Sequence, residues 1–105
     1  MSTLENSKKT INHHLIGEPG SVAQLATPAL IIQKDVFDAN VLAMKEHCAR
    51  NGLALRPHSK THKSVTIAKT QIEAGAVGIC CAKLGEAEVM SAGGIESILI
   101  TSPLV

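Results

Sequence analysis

Leu53 to Ala82, LALRPHSKTHKSVTIAKTQIEAGAVGICCA, is the stretch whose reading decides the fold. Leu53-Ala54-Leu55-Arg56-Pro57 is a short apolar run that reads as a strand. Ser64 is a helix N-cap, because its side-chain oxygen can accept an otherwise orphaned backbone N–H. Val65, Ala68 and Ile72 then follow on one helical face, and Gly75 ends the helix. Val77-Gly78-Ile79-Cys80-Cys81-Ala82 carries no polar alternation, which predicts a parallel strand buried on both faces.

The same unit recurs on either side. Upstream, Ala29-Leu30-Ile31-Ile32 follows a proline and predicts a buried strand, and Asp35 is the expected N-cap of the next helix. Phe37, Val41, Met44 and Cys48 form the apolar stripe of that helix, and Asn51-Gly52 stops it. Downstream, Leu84 to Ala92 is a short helix with Glu86 and Glu88 near its start, where the helix dipole favours negative charge. Gly93-Gly94 ends it, and Ser97 to Thr101 is another strand. Strands alternating with helices imply an α/β fold with a parallel sheet and helical crossovers. Doubly wound sheets and (β/α)8 barrels both satisfy that pattern. A complete barrel takes about 250 residues, so in a barrel reading this chain is truncated before closure.

The densest chemistry is Arg56-Pro57-His58-Ser59-Lys60-Thr61-His62-Lys63, between a predicted strand and a predicted helix. Parallel α/β folds gather their reactive groups at the carboxyl ends of strands. If the strand alternation continues, Arg56, His58 and Lys60 share one face, while Lys63 is out of step and solvated. A lysine acts as a nucleophile only when neutral, and its usual pKa is about 10.4. Burial and a neighbouring cation such as Arg56 both disfavour the charged form. The bland alternative is a solvated basic loop. A metal site on His58 and His62 is disfavoured, since their four-residue spacing suits a helix and Pro57 argues against one. Cys80-Cys81 reads as strand packing, and His13, His14 and His47 as surface residues. The glycines at 75, 78, 93 and 94 make no phosphate-binding loop.

Composition narrows the class. The 105 residues carry a formal net charge of +1, which suggests neither a nucleic-acid partner nor a membrane surface. With one Phe and no Trp or Tyr, the core must be aliphatic. Three cysteines, two of them adjacent, are a poor disulfide framework and fit a cytoplasmic protein. Residues 1–26 are polar and read as a flexible lead-in, with turn chemistry at Glu18-Pro19-Gly20-Ser21. Residues 27–105 form the expected structured part.

Thr27 to Ile32, Leu55 to Lys63 and Ala74 to Glu88, in that order, closely resemble the start of the D-threonine aldolase and D-serine dehydratase-like family. The Pro-His-x-Lys-Thr-His-Lys motif at residues 57–63 carries most of that resemblance. It implies the N-terminal portion of a (β/α)8 TIM barrel of alanine racemase type, followed in the complete protein by a β-rich domain and assembled as a homodimer. It also implies a pyridoxal 5'-phosphate-dependent lyase acting on small D-β-hydroxy amino acids, with the cofactor held as a Schiff base on Lys60 and with His58 and Arg56 as cofactor-binding neighbours. The family's divalent metal is bound by residues near the C-terminus, so no metal ligand is expected in this chain. The tyrosine that alanine racemases proper place after the lysine is replaced here by Thr61-His62-Lys63. The chain alone is expected to be inactive. The alternatives are a non-catalytic pyridoxal-phosphate binder, an inactive truncated fragment, or an amino-acid racemase.

Overall fold

The computed structural model describes residues 11–104. They fall into two compact units that divide between Ile32 and Gln33. In the first, short 3-10 turns occupy His13–Leu15 and Ser21–Gln24. The side-chain oxygen of Asn12 accepts the N–H of Ala26 at 2.9 Å, and Leu15 is buried. Gly20 takes a positive φ of 72° in the turn expected there. The run Ala29 to Ile32 departs from expectation. It is not a strand, and Leu30, Ile31 and Ile32 are all exposed. A strand exists only by pairing, and among the described residues no neighbour offers this run a ladder.

The second unit holds α1 (Lys34–Arg50), α2 (Val65–Glu73), β1 (Ile79–Cys81), α3 (Leu84–Ala92) and β2 (Ile98–Ile100). Helix α1 begins one residue before the expected cap. Asp35 lies inside its first turn, where the dipole favours a carboxylate, and no side chain caps the end. Helix α2 starts as its sequence dictates, with Ser64 Oγ accepting the N–H of Ile67 at 3.3 Å. Gly52, Gly75 and Gly94, each in the left-handed region, follow the three helices.

β1 and β2 pair in parallel, Ile79 with Ile98, Cys80 with Leu99 and Cys81 with Ile100. β1 is central, because residues 55–59 run along its other side. Val77 N donates to Leu55 O at 2.9 Å, Cys80 N to Pro57 O at 2.8 Å and Ser59 N to Cys80 O at 2.9 Å. The expected strand at 53–57 is thus extended but irregular, with one regular parallel bridge, His58 to Cys80. The physical reason is Pro57: the next rung of a parallel ladder would use the N–H of residue 57, and proline has none.

The helices cover one face of this sheet. Ile79 and Cys81 are fully buried and pack with Ala68 of α2, Ala87 and Met90 of α3, and Ile95. The core is aliphatic, as the composition requires. The opposite face is open: Leu99 is 52% exposed and Cys80 half-buried. The expected burial of 77–82 on both faces is therefore not met, since both packed helices lie on one side. The stripe of α1 is incompletely covered as well. Phe37, Val41, Met44 and Cys48 line an apolar cleft of about 630 Å³ against Leu53 and Ala76.

Candidate active site around Lys60

The open face of the sheet gathers the basic cluster. Arg56 and His58 leave the 55–58 segment on the same side and both cross β1 to reach the ends of β2. The Arg56 guanidinium forks onto Ser97, with Nη1 donating to the carbonyl at 3.1 Å and Nη2 to Oγ at 3.0 Å. Gly78 makes that crossing possible, because a β-carbon there would lie 2.2 Å from Arg56 Nη1 and 2.5 Å from Ser97 O. Two residues on, His58 Nδ1 accepts the backbone N–H of Lys60 at 3.2 Å, which leaves the ring proton on Nε2. Nε2 meets Thr101 Oγ1 at 3.0 Å, and that hydroxyl donates to Cys81 O at 3.3 Å. A continuous string of hydrogen bonds therefore runs from the Lys60 backbone to the carboxyl ends of β1 and β2.

Ser59 falls on the other side, as strand alternation requires, and is fully buried. Its hydroxyl reaches Glu86 Oε1 of α3 at 2.6 Å and lies near Cys80 O and Cys81 Sγ at 3.1 and 3.4 Å. Lys63 N donates to Ser59 O at 2.7 Å, closing the loop around Lys60 and Thr61. Lys63 itself has a φ of 50° and is exposed. His62 Nδ1 accepts the N–H of Ser64 at 2.9 Å. Lys60 is exposed at the end of this loop, and among the described residues its side chain makes no hydrogen bond or ion pair.

Two titrations are displaced. Burial pushes the His62 imidazole below its ordinary value, against an upward pull from the Glu86 charge. Burial also raises the Glu86 carboxyl. The Ser59 hydroxyl, the Ala82 backbone and the Lys63 and His58 charges together outweigh that effect and hold it below the usual range.

Alternation thus brings Arg56 and His58 together on one face, but it does not extend to Lys60, which lies exposed in the turn that follows the bridge at His58 rather than on a buried face with them. It does not find Ser59 or Glu86, which bind the loop from the helix side. The signal was present in Ser59's opposite parity and in an acid placed in the first turn of the next helix. His58 and His62 are engaged with different partners, so they form no metal pair. Among the described residues no three His, Cys, Asp or Glu side chains come together as a metal site. No described helix is long and apolar enough to cross a membrane.

Residues 32–104 match the alanine racemase N-terminal domain. The chain belongs to that family. This family member is 43% identical over 89 residues to a D-threonine aldolase from Arthrobacter sp, an alignment spanning 84% of this chain and 24% of the relative. It is 38% identical over 81 residues to a 3-hydroxy-D-aspartate aldolase from Paracoccus denitrificans, covering 76% of this chain and 21% of that one. The crystal structure of D-threonine aldolase from Filomicrobium marinum superposes with a TM-score of 0.77 at 44% identity, over 80% of this chain and 23% of that one. The chain therefore spans about a quarter of the length of these relatives, and its sheet with helices on one face corresponds to the opening portion of their fold. Aldolases and dehydratases, both lyases, are the activities named among its relatives.

Proposed function

We propose that this chain is the cofactor-carrying part of a pyridoxal-phosphate-dependent lyase for D-configured β-hydroxy amino acids, with Lys60 as the lysine that bears the cofactor. The observation that carries the reading is the placement of Lys60: on a loop tied down at both ends, at the carboxyl end of a parallel segment, with its side chain bonded to none of the described residues. The relatives named as D-threonine aldolase, 3-hydroxy-D-aspartate aldolase and D-serine dehydratase support the substrate class.

These residues fit pyridoxal phosphate. The amine of Lys60 offers the covalent link, and His58 and Arg56 border the open face beside it. When bound, the cofactor supplies an electron sink for cleavage of a bond to the substrate's α-carbon. This chain's part is to hold the amine in place. His58 fixes the Lys60 backbone through Nδ1 and passes that constraint to Thr101 through Nε2. Arg56 anchors the segment that carries both. The described residues do not fit a divalent metal, since no ligand cluster forms among them.

The test uses the full-length protein that contains this chain. Borohydride reduction of the cofactor-loaded protein and peptide mapping should place the pyridoxyl label on Lys60. Lys60→Ala should lose the label and turnover of D-threonine and D-serine, whereas Lys63→Ala should retain both. A label on Lys63 would overturn the assignment, and failure to turn over either amino acid would overturn the substrate class.

A further inference from the structure

Ser59 and His62 flank Lys60 and Thr61; the Ser59 hydroxyl bonds the Glu86 carboxylate, and the charge of that carboxylate acts on the His62 ring. Ser59 has one hydroxyl proton and three acceptors within reach. The charged one, Glu86 Oε1, is also the nearest at 2.6 Å, and a charged acceptor makes the stronger bond. His62 Nδ1 is occupied as an acceptor by the Ser64 N–H, so the neutral ring carries its proton on Nε2. That Nε2 is buried without a partner, and so is Glu86 Oε2. One is a donor and the other an acceptor. Leaving either unmet is costly, and buried waters typically join such groups.

Resting on the reading of Lys60 as the cofactor-bearing lysine, we propose that Glu86 is a positioning residue for it. Oε1 takes the Ser59 hydroxyl, and Oε2 takes the His62 Nε2–H through one bridging water. A single carboxylate on the first turn of α3 thereby grips both ends of the 59–62 segment. The bond from Lys63 N to Ser59 O at 2.7 Å closes the same loop through the backbone. The arrangement sets the Lys60 backbone against β1 on the helix side, while the His58–Thr101 contact sets it on the open side. Lys63 and His58 are the other charges that act on Glu86, and Glu86 is the charge that acts on His62.

The test compares Glu86→Gln, Glu86→Ala, Ser59→Ala and the double variant Ser59→Ala/Glu86→Ala in the full-length protein. In the cofactor-free form, NMR titration of ¹³C-labelled histidine should show His62 titrating lower in Glu86→Gln than in the wild type, because the charge that raised its pKa is gone. Loss of a hydrogen bond to a charged acceptor should weaken pyridoxal-phosphate binding by about tenfold or more in Glu86→Ala. The double variant should bind no more weakly than Glu86→Ala, since the Ser59–Glu86 bond that Ser59→Ala removes is already lost in Glu86→Ala. Glu88→Gln, a neighbouring exposed acid on the same helix, should move neither readout. An unchanged His62 titration in Glu86→Gln, or losses that multiply in the double variant, would overturn the proposal. If Glu86→Ala does not fold, the isosteric Glu86→Gln still decides it through the His62 titration. Wild-type protein whose reduced label lies elsewhere than Lys60 would instead remove the reading on which the proposal rests.

Discussion

Replacing Gly78 by alanine should be among the most damaging single-carbon additions in this chain. The new β-carbon would sit 2.2 Å from Arg56 Nη1, 2.5 Å from Ser97 O and 2.6 Å from Ser97 Oγ, where ordinary contact begins near 3.4 Å. The guanidinium can swing away, but only by giving up its fork on Ser97. Ser97 O cannot retreat as freely, because it also accepts the N–H of Ile79 at 2.9 Å, the bond that opens the β1–β2 pairing. Overpacking of this kind costs about 1–3 kcal/mol. Loss of the arginine's bonds adds about 1–2 kcal/mol, the low end for a charged donor because Arg56 is only half-buried. The sum is about 2–5 kcal/mol, measurable as a shift of the urea midpoint in the protein carrying this chain. Arg56→Met removes only the arginine share. In Gly78→Ala/Arg56→Met that share is lost once, so the double variant should cost less than the two singles added together. A Gly78→Ala protein within about 0.5 kcal/mol of wild type, or strictly additive singles, would refute the claim that the glycine exists to let Arg56 cross β1.

The remaining expectations follow from the same geometry. Gly93→Ala would place a β-carbon 2.5 Å from Val65 Cγ1 and should destabilise by about 1–3 kcal/mol, with Val65→Ala recovering part of the loss in thermal melts. Ser64→Ala removes the cap on α2 and should cost about 1 kcal/mol by denaturant titration, and Ser64→Asp should recover most of it. Met90→Ala, at a fully buried position between helix and sheet, should cost about 2–5 kcal/mol; a smaller loss would mean the core closes over the gap. Acid should weaken the fold in two stages. His62 titrates below its usual 6.5 when folded, so the unfolded ring takes the proton first, and stability present above that pH is lost as pH falls toward the folded value. Glu86, held below its usual 4.5, contributes stability that is present above that value and lost as pH falls through its lower folded one. His62→Gln should flatten the first stage and leave the second; an unaltered first stage would contradict the burial of that ring.

Much of the architecture was legible because it depends on neighbours in sequence. Ser64 caps α2 because its oxygen lies three residues from the N–H it accepts, and Gly75 and Gly94 end helices through their own backbone freedom. The apolar run from Val77 to Ala82 predicted a strand with a buried face, and Ile79 and Cys81 are fully buried in it. Alternation put Arg56 and His58 on a common face, where they reach Ser97 and Thr101.

The rest depends on which segments meet. The apolar run Ala29 to Ile32 has strand composition but is no strand among the described residues, because a ladder belongs to a pair rather than to one segment. Pro57 left the 53–57 segment only partly paired, a consequence that appears once β1 lies beside it. No spacing rule joins Ser59 to Glu86, 27 residues apart, or Arg56 to Ser97, 41 residues apart. The sequence by itself determined the helices and the parallel alternation, since these follow from local propensity and periodicity. Only the tertiary structure decided which half-buried carboxylate takes the Ser59 hydroxyl and which glycine lets an arginine cross the sheet, because both are contacts between residues that chain distance keeps apart until the sheet forms.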